Sequence, residues 1–138
     1  MGTNHWSSGP SLLRARQNHG CFSIKDNNVV THIVVMGGAG YLSSSEILDV
    51  NTMTWATGPP LPVPVNVNRG VESVDGTYLG FSTGGNGRHG NRVLRESKIL
   101  GLKKTSENVY FWEEVHSMTT ARNTHSIVNA PNSLLPNC

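Results

Sequence analysis

Six histidines stand at positions 5, 19, 32, 89, 116 and 125, and two cysteines at 21 and 138. These side chains bind metals or act as bases and nucleophiles, and such chemistry needs partners at short, defined spacing. No histidine here has a cysteine or carboxylate at a useful ligand spacing, so no metal and no cofactor are expected. Cys21 and Cys138 lie too far apart to suggest a disulfide framework, and Cys21 reads as a small apolar core residue. The run Val34-Val35-Met36-Gly37-Gly38-Ala39-Gly40 is close to a nucleotide-binding glycine loop. That loop needs a third glycine where Ser43 stands, a helix next and an acid about 20 residues on. Ser43-Ser44-Ser45-Glu46 matches a helix capping box, but the parallel stretch at 96–102 lacks the cap and contains Gly101. A strand is therefore expected over 46–50. Arg88, His89, Arg92, Arg95, Lys103 and Lys104 make 86–104 locally basic, which reads as a solvated loop able to attract an acidic peptide.

Composition says what must position these groups. The chain has 138 residues, 14% charged, with 15 glycines and 7 prolines, and its formal net charge is +2. So small a charge points to neither a nucleic-acid nor a membrane partner. Abundant turn formers at low charge predict short strands joined by tight loops. The start, Met1 to Trp6, is polar with no apolar run behind it, unlike a signal peptide. No stretch nears the roughly 18 apolar residues that span a membrane.

Three anchors recur in fixed order about every 50 residues. The first is a tryptophan, at Trp6, Trp55 and Trp112. Two copies open one phrase, Trp6-Ser7-Ser8-Gly9-Pro10-Ser11-Leu12 and Trp55-Ala56-Thr57-Gly58-Pro59-Pro60-Leu61. The second is Ala15-Arg16-Gln17-Asn18-His19-Gly20, matched by Ala121-Arg122-Asn123-Thr124-His125-Ser126. A looser middle copy, Asn66-Val67-Asn68-Arg69-Gly70, lacks the arginine–histidine pair. The third is a glycine pair closing an apolar run, Gly37-Gly38 and Gly84-Gly85.

Between anchors the pattern reads as four strands per unit. Cys21–Ile24 and Val29–Met36 flank a turn at 25–28. Val71–Val74 and Thr77–Ser82 flank Asp75-Gly76, a two-residue hairpin signal. A short strand follows each glycine pair, at Glu46–Val50 and Ser97–Leu102, and the last strand carries Trp55 or Trp112. Trp55 follows Gly38 by 17 residues, whereas Trp112 follows Gly85 by 27. The excess is expected as longer loops.

Hairpin, glycine pair, acidic-apolar strand, tryptophan, Gly-Pro and Arg-x-x-His together resemble the kelch repeat. The stretch Gly37-Gly38 through Glu46-Ile47-Leu48-Asp49-Val50-Asn51-Thr52-Met53-Thr54-Trp55 carries the likeness most fully. The resemblance implies an all-β fold of kelch-type β-propeller blades, each a four-stranded antiparallel sheet, in an incomplete propeller of about two blades. It divides one segment, 1–138, into a first repeat at 13–58, a second with longer loops at 66–113, and the start of a third with an irregular tail at 116–138. It makes Trp6, Arg16, His19, Gly37, Gly38, Trp55, Gly84, Gly85, Trp112, Arg122 and His125 structural anchors. The tryptophans would fill the wedge between blades, the arginines would bond carbonyls or acids, and the histidines would cap strands.

The resemblance also implies a non-catalytic protein-interaction segment whose loops meet a protein or peptide partner, plausibly acidic. Carried over by position, the partner-facing residues are Tyr41, Ser43 and Ser44 after the first glycine pair, and Asn86, Arg88, His89 and Arg92 after the second. Asn18, Asn68 and Thr124 take equivalent places before the first strand of each unit. Two blades leave open edges, so self-association is a further expectation. The alternatives are a fragment of a propeller oxidase or sugar-processing enzyme and a truncated product without function of its own. The enzyme would need clustered tyrosine and histidine ligands or paired carboxylates, and no such cluster stands out in the sequence.

Overall fold

A computed structural model describes residues 4–74 and 76–128. It contains eleven strands and, among the described residues, no helix: β1 Gly20–Asp26, β2 Val29–Met36, β3 Ser45–Asp49, β4 Thr54–Thr57, β5 Val65–Asn66, β6 Arg69–Glu72, β7 Gly80–Thr83, β8 Asn86–His89, β9 Arg92–Arg95, β10 Lys98–Lys104 and β11 Tyr110–Ser117. They form three antiparallel sheets, ordered β1-β2-β3-β4, β6-β7-β10-β11 and β5-β8-β9. Each four-stranded sheet is a meander, and the second is interrupted by the β8–β9 hairpin. The chain is thus all-β, and its described residues do not close a ring.

Local chemistry accounts for most of these elements. The β1–β2 turn is Asn27-Asn28, both at positive φ (49° and 64°), a conformation that asparagine tolerates and that matches the twist of the flanking strands. Asp49 closes the β3–β4 turn by accepting from the N–H groups of Asn51 and Thr52 at 2.8 and 3.2 Å. Ser45 and Glu46 begin a strand because their side chains are used across the fold. Ser45 donates to Pro59 O at 2.7 Å, and Glu46 meets Arg16.

Two expected features differ. Val71–Val74 and Thr77–Ser82 do not meet at a two-residue turn. β6 ends at Glu72, opposite Gly80, so the connection is longer than two residues. The pull comes from the other side: Leu79 N–H donates to Leu102 O at 2.8 Å, and Tyr78 packs at a tilt against Phe81, ring centroids 5.2 Å apart, and donates to Glu113. Asp75 lies outside the described residues. The excess residues after Gly85 are not loops either. A tight turn at Gly90-Asn91 folds them into β8 and β9. Lys103 and Lys104 end β10 instead, with Lys103 paired to Glu113 at 2.7 Å.

The two larger sheets meet through β1 against β6 and β7. Phe22, Ile24, Val34, Met36 and Ile47 from the first sheet join Leu100 and Leu102 from the second, with Leu61 and Val65 of the linking segment. Burying each such side chain stabilises the fold by about 1.5–3 kcal/mol. Trp112 packs edge-on against Phe22, ring centroids 6.3 Å apart. Cys21 is not in this core. It faces away from Phe22 by strand alternation and is an exposed free thiol. Cys138 lies outside the described residues.

The sheets repeat one another in detail. Gly20 pairs with Met36 just before Gly37-Gly38, and Arg69 pairs with Thr83 just before Gly84-Gly85. Gly38 N–H donates to Val65 O at 2.9 Å, and Gly85 N–H to Arg122 O at 2.8 Å. Asn18, Val67 and Thr124 hold the same left-handed φ, 54°, 52° and 51°. Arg16, Val65 and Arg122 are therefore equivalent, as are His19, Asn68 and His125. The middle copy sits one residue from the alignment of Asn68 with Asn18. The indole N–H groups of Trp55 and Trp112 donate to Pro10 O and Pro59 O, each at 3.1 Å. Trp6 takes no part in this scheme and is fully exposed, because its phrase contributes only the carbonyl of Pro10.

Candidate partner-binding surface

Strand direction gathers the candidate residues at one end. β1 and β6 start where β2 and β7 finish, so the segments before them and the loops after the glycine pairs share that end. Gly38 and Gly85 sit at φ 122° and 100°, and a Cβ at either would meet a backbone oxygen, Gln17 O at 2.9 Å or Asn66 O at 2.8 Å. Only glycine lets the strand end fold so closely over the neighbouring backbone. Ala39 N–H donates to Gln17 O, Val67 N–H to Asn18 O and Arg88 N–H to Pro64 O. Backbone bonds thus tie the loops into one polar rim.

Arg16 holds the first loop. Its side chain is 1% exposed and that of Glu46 is 3% exposed. Nε and Nη2 donate to Glu46 Oε1 at 3.0 and 2.8 Å, Nη1 to Gly37 O and Ser44 O, and Nη2 also to Ser44 Oγ. Glu46 accepts further from the N–H groups of Leu13 and Arg14. Arg16 thus bonds two backbone carbonyls and one acid. In the second unit the equivalent positions are Val65 and Leu100, both in the apolar core. Arg122 takes its place through backbone bonds, donating to Glu96 O and accepting from Gly85 N–H.

The histidines lie at the seams. His125 Nε2 shares a hydrogen bond with Thr83 Oγ1 at 2.8 Å. Burial, then the charge of Arg69 and then of Arg122, pushes its pKa below the usual value. Burial and the nearby Arg16 do the same to His19, against the pull of Glu46. Both rings are thereby held neutral near physiological pH.

No protein-family model matches this chain, and a search of the curated proteins finds no match.

Of the expected contact residues, Asn18, Arg88, His89, Arg92 and Thr124 are exposed on the rim, and Tyr41, Ser43 and Asn86 are half-buried there. Ser44 is occupied by Arg16, and Asn86 Oδ1 accepts from Asn123 at 2.9 Å. Asn68 is not a contact residue. It is fully buried between the units, accepting from Gly20 N–H and donating to Ser82 Oγ. His89 meets Glu96 Oε1 at 2.5 Å, above Gly87, whose missing side chain leaves room for the carboxylate. Among the described residues no group of three or more histidine, cysteine, aspartate or glutamate side chains is placed to hold a metal.

The sequence reading missed Glu46, whose acid is the centre of the first loop, and the β8–β9 hairpin. The signals were present: an acidic residue inside a buried strand, and Gly90-Asn91 between two short runs.

Proposed function

We propose that the chain is a pair of kelch-type propeller blades with the opening of a third, and that it serves as a non-catalytic segment binding a protein or peptide partner at the glycine-pair end. The observation that carries the reading is the repeated seam, in which the second glycine of each pair donates to the backbone just ahead of the next unit, Gly38 to Val65 and Gly85 to Arg122. A seam that repeats by one rule stacks sheets side by side, as blades stack around an axis. It also brings every inter-strand loop of that end onto one surface, where recognition loops on rigid scaffolds are found.

The surface suits an acidic partner, since Arg88, Arg92 and Arg95 are exposed on it. The test is selection of binders from a random displayed peptide library against the full chain. Alanine at Tyr41, Arg88 or Thr124 should weaken the selected peptides about tenfold, roughly 1.4 kcal/mol, while alanine at Asn51 or Thr105, at the other end, should not. Peptides that respond only to the second set would overturn the reading.

A further inference from the structure

β9 is an edge strand whose four residues, Arg92-Val93-Leu94-Arg95, are all exposed. Its inner side pairs with β8 in the register His89↔Arg92, Arg88↔Val93, Gly87↔Leu94 and Asn86↔Arg95. Around a two-residue turn the first pair, His89 with Arg92, exchanges both backbone bonds, and the pairs then alternate. Val93 and Arg95 therefore aim N–H and C=O outward. The bond from Arg88 N–H outward to Pro64 O, on the opposite side of β8, fits the same alternation. Among the described residues nothing pairs with the outer side of β9.

The charges point the same way. Lys25, Lys98, Lys103, Arg16 and His89 each meet a carboxylate. Arg92 and Arg95 meet none among the described residues, and Arg88 only bends back to Gly90 O. Three guanidinium groups without acids thus flank an open strand edge, with Val93 and Leu94 exposed between them. In strand addition to an unpaired sheet edge, backbone bonds give affinity while side chains select.

We propose that the outer edge of β9 receives an extended acidic peptide as an added antiparallel strand, held by the backbone of Val93 and Arg95 and by the guanidinium groups of Arg88 and Arg95, which share one face of the hairpin. This rests on the partner-binding reading and gives it a mode and a ligand class. Acidic residues at every second position would lie on the face that carries Arg88 and Arg95, and the residues between would lie on Leu94.

The probe is a blocked peptide of alternating glutamate and valine, titrated into the full chain with amide exchange read by NMR. Binding should protect the Val93 and Arg95 amides. N-methylation of alternate peptide amides, in the register that faces β9, should abolish binding. Arg88→Glu with Arg95→Glu should weaken it at least tenfold. Val93→Pro removes an outward donor without breaking the β8 ladder and should also abolish binding, while the Arg92 amide stays protected. Binding that ignores N-methylation and Val93→Pro would overturn strand addition and leave the loop-end reading standing. No binding at millimolar peptide would overturn the proposal, while peptides selected through Tyr41 and Thr124 still test the loop end. Equal competition by a single-stranded oligonucleotide would show charge attraction alone and would overturn it too.

Discussion

The buried pair Arg16–Glu46 offers a perturbation whose answer the second unit already contains. The groups lie 2.8 Å apart, almost wholly out of water. At an effective dielectric constant of about 20 their gross attraction is about 6 kcal/mol, most of it offset by desolvation. Arg16→Val alone leaves a buried carboxylate uncompensated, and Glu46→Leu leaves a buried guanidinium. Each should cost about 3–5 kcal/mol. The double variant Arg16→Val/Glu46→Leu reproduces the arrangement that the second unit has at Val65 and Leu100. It still loses the acceptor for the N–H groups of Leu13 and Arg14, so a residual cost of about 1–3 kcal/mol remains. The assay is urea unfolding of the four proteins as a double-mutant cycle, with unchanged denaturant slopes as the condition for comparison. A coupling of at least about 2 kcal/mol is expected. If the double variant lost as much as the two singles summed, the equivalence of the two units at this position would be refuted.

Other outcomes follow from the same geometry. Trp112→Ala should destabilise by about 3 kcal/mol, since its ring packs on Phe22, and Trp55→Ala by only about 1 kcal/mol for its bond to Pro10; equal losses in urea unfolding would count against the packing described. Gly85→Ala should cost more than 2 kcal/mol, combining left-handed strain with a Cβ placed 2.8 Å from Asn66 O; a neutral effect on the thermal midpoint would contradict it. His19 and His125 take up a proton near pH 6.5 when unfolded but only at lower pH when folded. Below about pH 6.5 the unfolded chain thus binds more protons and stability falls. His125→Gln should flatten that fall between pH 7.5 and 5.5, and an unchanged slope would be the contrary result.

Much of the fold was legible because strand pairing writes itself in local patterns. The β-branched run at 29–36 and the asparagines at 27–28 announce a hairpin, and the glycine pairs mark strand ends folded against backbone. What stayed hidden depends on register and on distant partners. Asn68 resembles Asn18 in type, but the pairing of Arg69 with Thr83 shifts it into the place of His19, where it is buried. Asp75-Gly76 carries strong local turn chemistry, yet Leu79 and Tyr78 are drawn to β10 and β11 and lengthen the connection. Cys21 is small and apolar, but alternation about Phe22 turns it outward. At the candidate site, the loops after the glycine pairs were in view. The opposing roles of Ser44, bound inward by Arg16, and Arg88, left outward, depend on the burial of Glu46 and on the pairing of β8 with β9, both set by partners distant in sequence.

The most direct measurement of the central claim is an amide-exchange map of the full chain with and without a peptide selected to bind it. Protection confined to 37–44, 84–97 and 119–125 is the predicted result. Protection at the opposite end, around 27–28, 50–53 and 105–109, would contradict it.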